Sequence, residues 1–363
     1  MADAPHFLFV TCQVGAEKAV KGEAARQQPP LRFAFSRPGF LTFKLPVDED
    51  AASRLNFEAT FARAWGFSLG QASGEDQTGL ARSVWEVLGN RSVRRVHVWA
   101  RDAAAPGQHS FEPSITPEAL AAREAILQAC PTPRMLAADA ALPDVPAKPG
   151  ETVLDCVLVG THEWWVGYHR AGAVPTRWPG GMMPLTLPAR AVSRAWLKME
   201  EALRWSELPI PRGARCAEIG SAPGGASQAL LARGLEVIGI DPAEMAPIVL
   251  GHPKFTHIRR KVAEVRRRDF RKVRWLTVDM NVAPQYTLDA VEAIVVHPEL
   301  NIRGMLLTLK LFDWEMADGV PAYLQRIQGW GFNQVRARQL QYNRREICVS
   351  ALQKPFRRKP PPH

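Results

Sequence analysis

The stretch CAEIGSAPGG at 216–225 decides how this chain is read. Three kinds of ligand compete for a glycine-rich turn of this form. A phosphate-cradling loop requires G-x-x-x-x-G-K-[ST], and no Gly-Lys-Ser/Thr follows here. A dinucleotide turn requires G-x-G-x-x-G, but Ser221 and Ala222 follow Gly220, so the second glycine is missing. What remains is an acid, Glu218, followed by Gly220, Ser221, Pro223, Gly224 and Gly225. Pro223 is expected to open the next helix at its first position. Asp241 comes roughly 20 residues on, at the end of LEVIGID, where an acid takes the ribose hydroxyls of a bound nucleoside. An acid inside the turn repels a phosphate but pairs with the ammonium group of an amino acid. S-adenosylmethionine combines a ribose and an ammonium group with no phosphate. On this fragment alone, a structural turn in some other Rossmann-like domain stays open.

Outward from the turn, strands and helices alternate from Ala189 onward in the manner of a doubly wound, mostly parallel sheet, giving a Rossmann-like α/β domain over 189–354. Before it, AGAVPTRWPGGMMPLTLP (171–188) is a Pro/Gly-rich shift that reads as a linker. The first 70 residues read as a β-α-β-β opening with a hairpin around Arg37-Pro38-Gly39, a ferredoxin-like α+β module. Residues 71–170 give a second α/β piece that ends in two strands around Thr161-His162-Glu163. The end, 355–363, reads as a basic Pro-rich tail.

The chain has 363 residues, enough for two or three domains with real cores. Five cysteines are scattered, odd in number and without a C-x-x-C pair, so neither a disulfide framework nor a zinc site is expected. The nine histidines show no metal spacing, and no metal is expected. No run approaches the roughly 18 apolar residues of a membrane span, and the first residues lack a basic signal region. A cytoplasmic protein without a membrane partner is the expectation. Net charge is +10, and HIRRKVAEVRRRDFRKVR (257–274) is densely basic, which favours a polyanionic partner such as RNA. Plain solvation of that stretch stays open.

Four further segments carry a family resemblance. SRAWLKMEE (193–201), TVDMNVAP (277–284), LLTLKLF (306–312) and NRREICVSA (343–351) flank or follow the glycine-rich turn. In order and approximate spacing they resemble the motifs of the FtsJ-like ribosomal RNA 2′-O-methyltransferases, over about 189–352. The resemblance implies a catalytic tetrad Lys198, Asp279, Lys310 and Glu346, with S-adenosylmethionine as methyl donor and Glu218, Gly220, Ser221, Pro223, Gly224, Gly225, Asp241 and Asp279 around it. By layout rather than motif, the N-terminal portion is similar to that of the RlmM-type large-subunit enzymes. This implies a THUMP-like RNA-binding module at 71–170 and a cytidine ribose of 23S ribosomal RNA as target.

The chemistry suits those residue types. A ribose hydroxyl is a very weak acid, and a lysine serves as its base only if its ammonium form is disfavoured by burial or a nearby like charge. Lys310 is expected as the base, with Lys198 lowering its pKa and Asp279 and Glu346 orienting the two amines. Taken singly, each has a plain reading: a solvated helix lysine, a turn cap, a snorkelling strand-end lysine, a surface ion pair. The alternatives are a non-catalytic RNA-binding or assembly protein on a degenerate methyltransferase fold, and a methyltransferase of another RNA. Base-amino methylation would leave (N/D)-P-P-(Y/F), and C5 methylation a Pro-Cys nucleophile, and neither is present. Arg260 and Lys261 stand where related enzymes offer an acid to adenine, so no adenine contact is assigned there.

Overall fold

The structure, a computed structural model, describes residues 5–46, 55 and 57–353. The expected tail at 355–363 lies outside the described residues. The chain divides into two compact units, Met1–Pro184 and Leu185–His363. No helix among the described residues is long and apolar enough to cross a membrane.

The first unit runs β1 (Phe7–Cys12), α1 (Glu17–Ala25), β2 (Arg32–Arg37), β3 (Phe40–Lys44), β4 (Ala62–Ala72), α2 (Gln77–Leu88), β5 (Arg95–Ala100), α3 (Pro117–Gln128), β6 (Thr152–Gly160) and β7 (Glu163–Arg170). Its strands form one seven-stranded sheet in the order β2-β3-β1-β4-β7-β6-β5. The expected boundary at 70/71 falls inside β4, which pairs with β1 on one side and β7 on the other, so the two expected modules share a sheet. Helix α2 is amphipathic, with Leu80, Val84 and Leu88 buried at helical spacing against β5 to β7. Asp76 caps it by accepting from Gly79 N at 2.7 Å, and Thr116 caps α3 ahead of Pro117.

Much of the expected linker also belongs to this unit. Met182 joins the core with Phe9, Phe40 and Trp99. Gly180 has a φ of 59° and lies so close to the Trp99 ring that a Cβ would overlap it. The division therefore falls late in 171–188, after Pro184.

The second unit runs α4 (Ala195–Ser206), β8 (Arg215–Ile219), α5 (Gly225–Ala232), β9 (Glu236–Ile240), α6 (Pro247–Leu250), β10 (Phe255–Ile258), β11 (Trp275–Val278), α7 (Pro284–Val295), β12 (Gly304–Lys310), α8 (Val320–Gly329), β13 (Gln334–Arg338) and β14 (Glu346–Leu352). Its sheet has the order β10-β9-β8-β11-β12-β14-β13. The four pairings from β10 to β12 are parallel, and β14 is antiparallel to both β12 and β13. Strands covered on both faces need apolar residues throughout, and WLTV and the first four residues of GMLLTLK are buried accordingly. The chain steps from β8 to β9 and β10 on one side, then returns to β11 on the other. That reversal opens a crevice at the carboxyl ends of β8 and β11, where open α/β sheets hold their ligands.

Candidate active site

Ile219, Ile240 and Val278 are the last residues of β8, β9 and β11, and they stand level in the sheet. The residues that follow, Gly220, Asp241 and Asp279, therefore emerge together at one edge. The backbone keeps them close: Gly220 N donates to Ile240 O at 2.9 Å, and Asp279 N donates to Ile219 O at 3.0 Å. Gly220 has a φ of 80°, and a side chain there would overlap the Asp279 carbonyl. Gly225 lies equally tight against Ser193, so the PGG and SRA segments meet through a missing Cβ.

The turn differs from expectation at Pro223. Helix α5 starts at Gly225, with Gly224 in a left-handed conformation as its N-cap. Pro223 thus precedes the helix, within the turn, and does not occupy its first position. Ala222 N donates to Asp241 Oδ2 at 3.1 Å, which folds the turn onto the end of β9. Asp241 Oδ1 accepts from Ala243 N at 2.8 Å. Ser221 is buried, its hydroxyl 3.5 Å from Met245 Sδ.

Glu218 is 2% exposed and accepts from the Ser227 hydroxyl at 2.5 Å. Burial pushes its pKa up to about 8; the Ser227 bond opposes this, while the charges of Asp279 and Asp241 add to it. The donor set fits S-adenosylmethionine in kind. It offers two acids, Glu218 and Asp241, for an ammonium group and for ribose hydroxyls, and a close-packed glycine turn.

The four tetrad residues come together. Lys198, half-buried on α4, meets Glu346 Oε1. Lys310, the last residue of β12, lies 2.5 Å from Glu346 Oε2 and 2.9 Å from Asp279 Oδ1. The Asp279 contact is an ion pair, since that oxygen has no aligned hydrogen bond. The antiparallel register sets Lys310 directly opposite Glu346, which explains why the end of one strand and the start of the other supply the pair. Glu346 is almost wholly buried; burial alone would raise its pKa, but Lys198 and Lys310 outweigh that and hold it at about 2.

Lys310 departs from expectation. Burial disfavours its ammonium form, but Asp279 and Glu346 outweigh burial, and its pKa is raised. The expected lowering assumed that the second lysine would dominate. Instead each amine faces a carboxylate, and Lys310 faces two.

Two buried residues of the site, Glu201 and Asn343, lie inside the motif segments, but sequence reading gives them no role. Asn343 donates to Glu346 Oε1 at 3.2 Å, and Glu201 accepts from Gln341 N at 2.8 Å and Tyr342 N at 3.2 Å. The basic stretch starts beside Asp241: Asp241 N donates to Ile258 O at 3.3 Å, and Arg260 and Lys261 beyond it are exposed.

Cys216 and Cys348 are buried strand residues, and burial pushes the Cys216 thiol up to about 12. In the first unit, His97, Asp155 and His169 place ligand-type atoms within 4.8 Å of one another, a grouping that could hold a metal ion. Both His169 nitrogens are already engaged, by Asp155 Oδ2 at 2.6 Å and Thr176 O at 2.7 Å.

Residues 191–347 match the model of the FtsJ-like methyltransferases. That segment is a methyltransferase domain, and S-adenosylmethionine is its cofactor. Among curated relatives, the ribosomal RNA large subunit methyltransferase M of Halorhodospira halophila is 33% identical over 187 residues, 50% of this chain and 53% of that one. The protein of the same name from Xylella fastidiosa strain 9a5c is 30% identical over 204 residues, 54% of this chain and 56% of its own. The chain thus spans about half the length of the curated relatives it matches.

Proposed function

We propose that this chain transfers a methyl group from S-adenosylmethionine to a ribose 2′-hydroxyl of large-subunit ribosomal RNA, at a cytidine. The observation that carries the reading is Glu346 bridging Lys198 and Lys310, with Asp279 on Lys310, beside the 220–225 turn. A scaffold has no use for two lysines and two carboxylates drawn into contact at the ligand edge of a sheet. The relatives' names supply the RNA, and the THUMP-like layout of residues 71–170 gives the first unit a recruiting role. The second unit, with strand order β10-β9-β8-β11-β12-β14-β13, is read as a Rossmann-like class I methyltransferase.

When bound, S-adenosylmethionine supplies an electrophilic methyl group on a sulfonium cation. Asp241 would hold its ribose, and Glu218 would face its ammonium group, whose positive charge draws the buried acid towards its carboxylate form. Lys310, an ammonium in the donor-free protein, gives its proton to solvent as positive charge enters the site, because like charge disfavours the ammonium form. Its Nζ then takes the 2′-hydroxyl proton, while Asp279 and Glu346 fix its direction. Lys198, bonded to Glu346, steers the hydroxyl oxygen.

The test incubates the full chain with radiolabelled donor and ribosomal RNA from a strain lacking the gene, followed by nuclease and alkaline digestion. Label is expected in an alkali-resistant dinucleotide. Lys310→Ala is expected to lower transfer by roughly 10²- to 10⁴-fold, with donor affinity within a few-fold of wild type. Label on a base, or normal transfer by Lys310→Ala, overturns the reading.

A further inference from the structure

A carboxylate that serves two amines at once must be held against rotation, and against drift of the elements that carry the amines. Lys198 rides on α4, whereas Glu346 and Lys310 belong to paired strands. The segment just before β14 joins these parts. Residues 340–343 form a turn closed by Asn343 N donating to Leu340 O at 3.1 Å and Leu340 N donating to Asn343 Oδ1 at 2.8 Å. Glu201, three residues after Lys198 and so on the same face of α4, grips this turn through the backbone amides of Gln341 and Tyr342. Asn343 then donates from Nδ2 to Glu346 Oε1, the same oxygen that meets Lys198. Glu201 and Asn343 are each 2% exposed. The bond from the Gln341 amide to Glu201 and the bond from Asn343 to the Glu346 carboxylate both join buried groups.

We infer that Glu201 and Asn343 are positioning residues, a brace from α4 through the 340–343 turn that holds the Glu346 carboxylate so that one oxygen serves Lys198 and the other Lys310. The inference rests on the methyl-transfer reading for its kinetic consequence, but the brace itself has a readout that needs no catalysis. Asn343 supplies a neutral donor where a second carboxylate would face Glu346. Asn343→Asp keeps an oxygen for Leu340 N and replaces that donor with a charge. A side chain that merely stabilised the turn would leave the amines unaffected by this change. In the brace, the added charge acts on the Lys198 amine, which meets the same Glu346 oxygen that Asn343 serves.

The experiment labels the full chain with acetic anhydride at fixed mild alkaline pH, without donor or RNA, and reads each lysine by mass spectrometry. Asn343→Asp is expected to slow labelling of Lys198 about tenfold, while exposed Lys261 keeps its wild-type rate. In the methylation assay, kcat is expected to fall severalfold while the KM for donor stays within threefold. Glu201→Ala is expected to speed labelling of Lys198 at least threefold, and Glu201→Gln, which keeps one acceptor oxygen, to restore part of the wild-type rate. If Asn343→Asp does not fold, the Glu201 pair decides. Lys198 labelling within twofold of wild type in the folded variants overturns the brace. Wild-type protein that methylates no ribosomal RNA overturns the proposed activity instead, and the labelling result still decides the brace.

Discussion

Glu218 shows how one carboxylate in the turn couples the site to pH. Its pKa stands near 8 in the folded protein, against an ordinary value of 4.5. A group raised on folding contributes stability that is full below the unfolded value and lost as pH rises through the folded one. The window here is therefore pH 4.5 to 8. Across it the buried acid costs up to roughly 1.4 kcal/mol per pH unit, an upper bound because the site can relax. Glu218→Gln keeps an acceptor for Ser227 and removes the titration. Urea denaturation across this window is expected to show the variant gaining on wild type as pH rises, the two converging near pH 4.5. Parallel curves would mean that Glu218 is ionised throughout. The same arithmetic explains why the sequence misled at Lys310. Counting lysines suggests mutual repulsion, but the sign follows from distances, and the nearest charges to Lys310 are Glu346 at 2.5 Å and Asp279 at 2.9 Å.

At the level of elements, the contact between α4 and α5 depends on Gly225, whose missing Cβ leaves room for Ser193. Gly225→Ala is expected to destabilise the second unit by about 1–3 kcal/mol through overpacking, read as a lower melting temperature, and to weaken donor binding as the turn shifts. An unchanged melting temperature would show that Ser193 moves aside freely. Much of this architecture was legible beforehand. The apolar runs that became β8, β11 and β12, and the hairpins at 32–44 and 152–170, announce themselves through composition and turn residues. Pairing partners do not. Nothing in ARAWGFSLGQA states that one edge of β4 takes β1 and the other β7, and so the 70/71 boundary was misplaced. The packed half of the linker stayed hidden because Gly180 looks like any flexible glycine until Trp99 is placed against it. The four tetrad residues were legible because their types are chemically demanding. Asn343 and Glu201 lie in the motif segments, but their roles were not legible, because the bonds of Glu201 cross some 140 positions of sequence and Asn343 is an ordinary turn residue by type.

On the scale of the whole molecule, a net charge of +10 suits the proposed RNA substrate, which carries one negative charge per nucleotide. The basic stretch starts at β10, against Asp241, and continues through two short turns, Val262–Glu264 and Arg267–Phe270. Some of its charge is already balanced, Arg259 by Glu244 at 3.2 Å and Arg271 by Glu299 at 2.8 Å. Exposed surface pairs of this kind are weak and exchange readily with phosphate. Arg260 and Lys261 are exposed, just beyond Ile258, whose carbonyl accepts from Asp241 N, and under the proposed reading they would meet phosphates flanking the target ribose. Each phosphate contact made with RNA releases counterions, so the logarithm of the binding constant falls linearly with the logarithm of salt concentration, by about 0.7–0.9 per contact. Replacing both Arg260 and Lys261 with alanine is expected to reduce that slope by about 1.4–1.8, measured by fluorescence anisotropy with an RNA fragment at several salt concentrations. Donor affinity, set by the turn and by Asp241, is expected to stay within twofold. An unchanged slope would move the RNA away from this face and leave recruitment to the first unit alone.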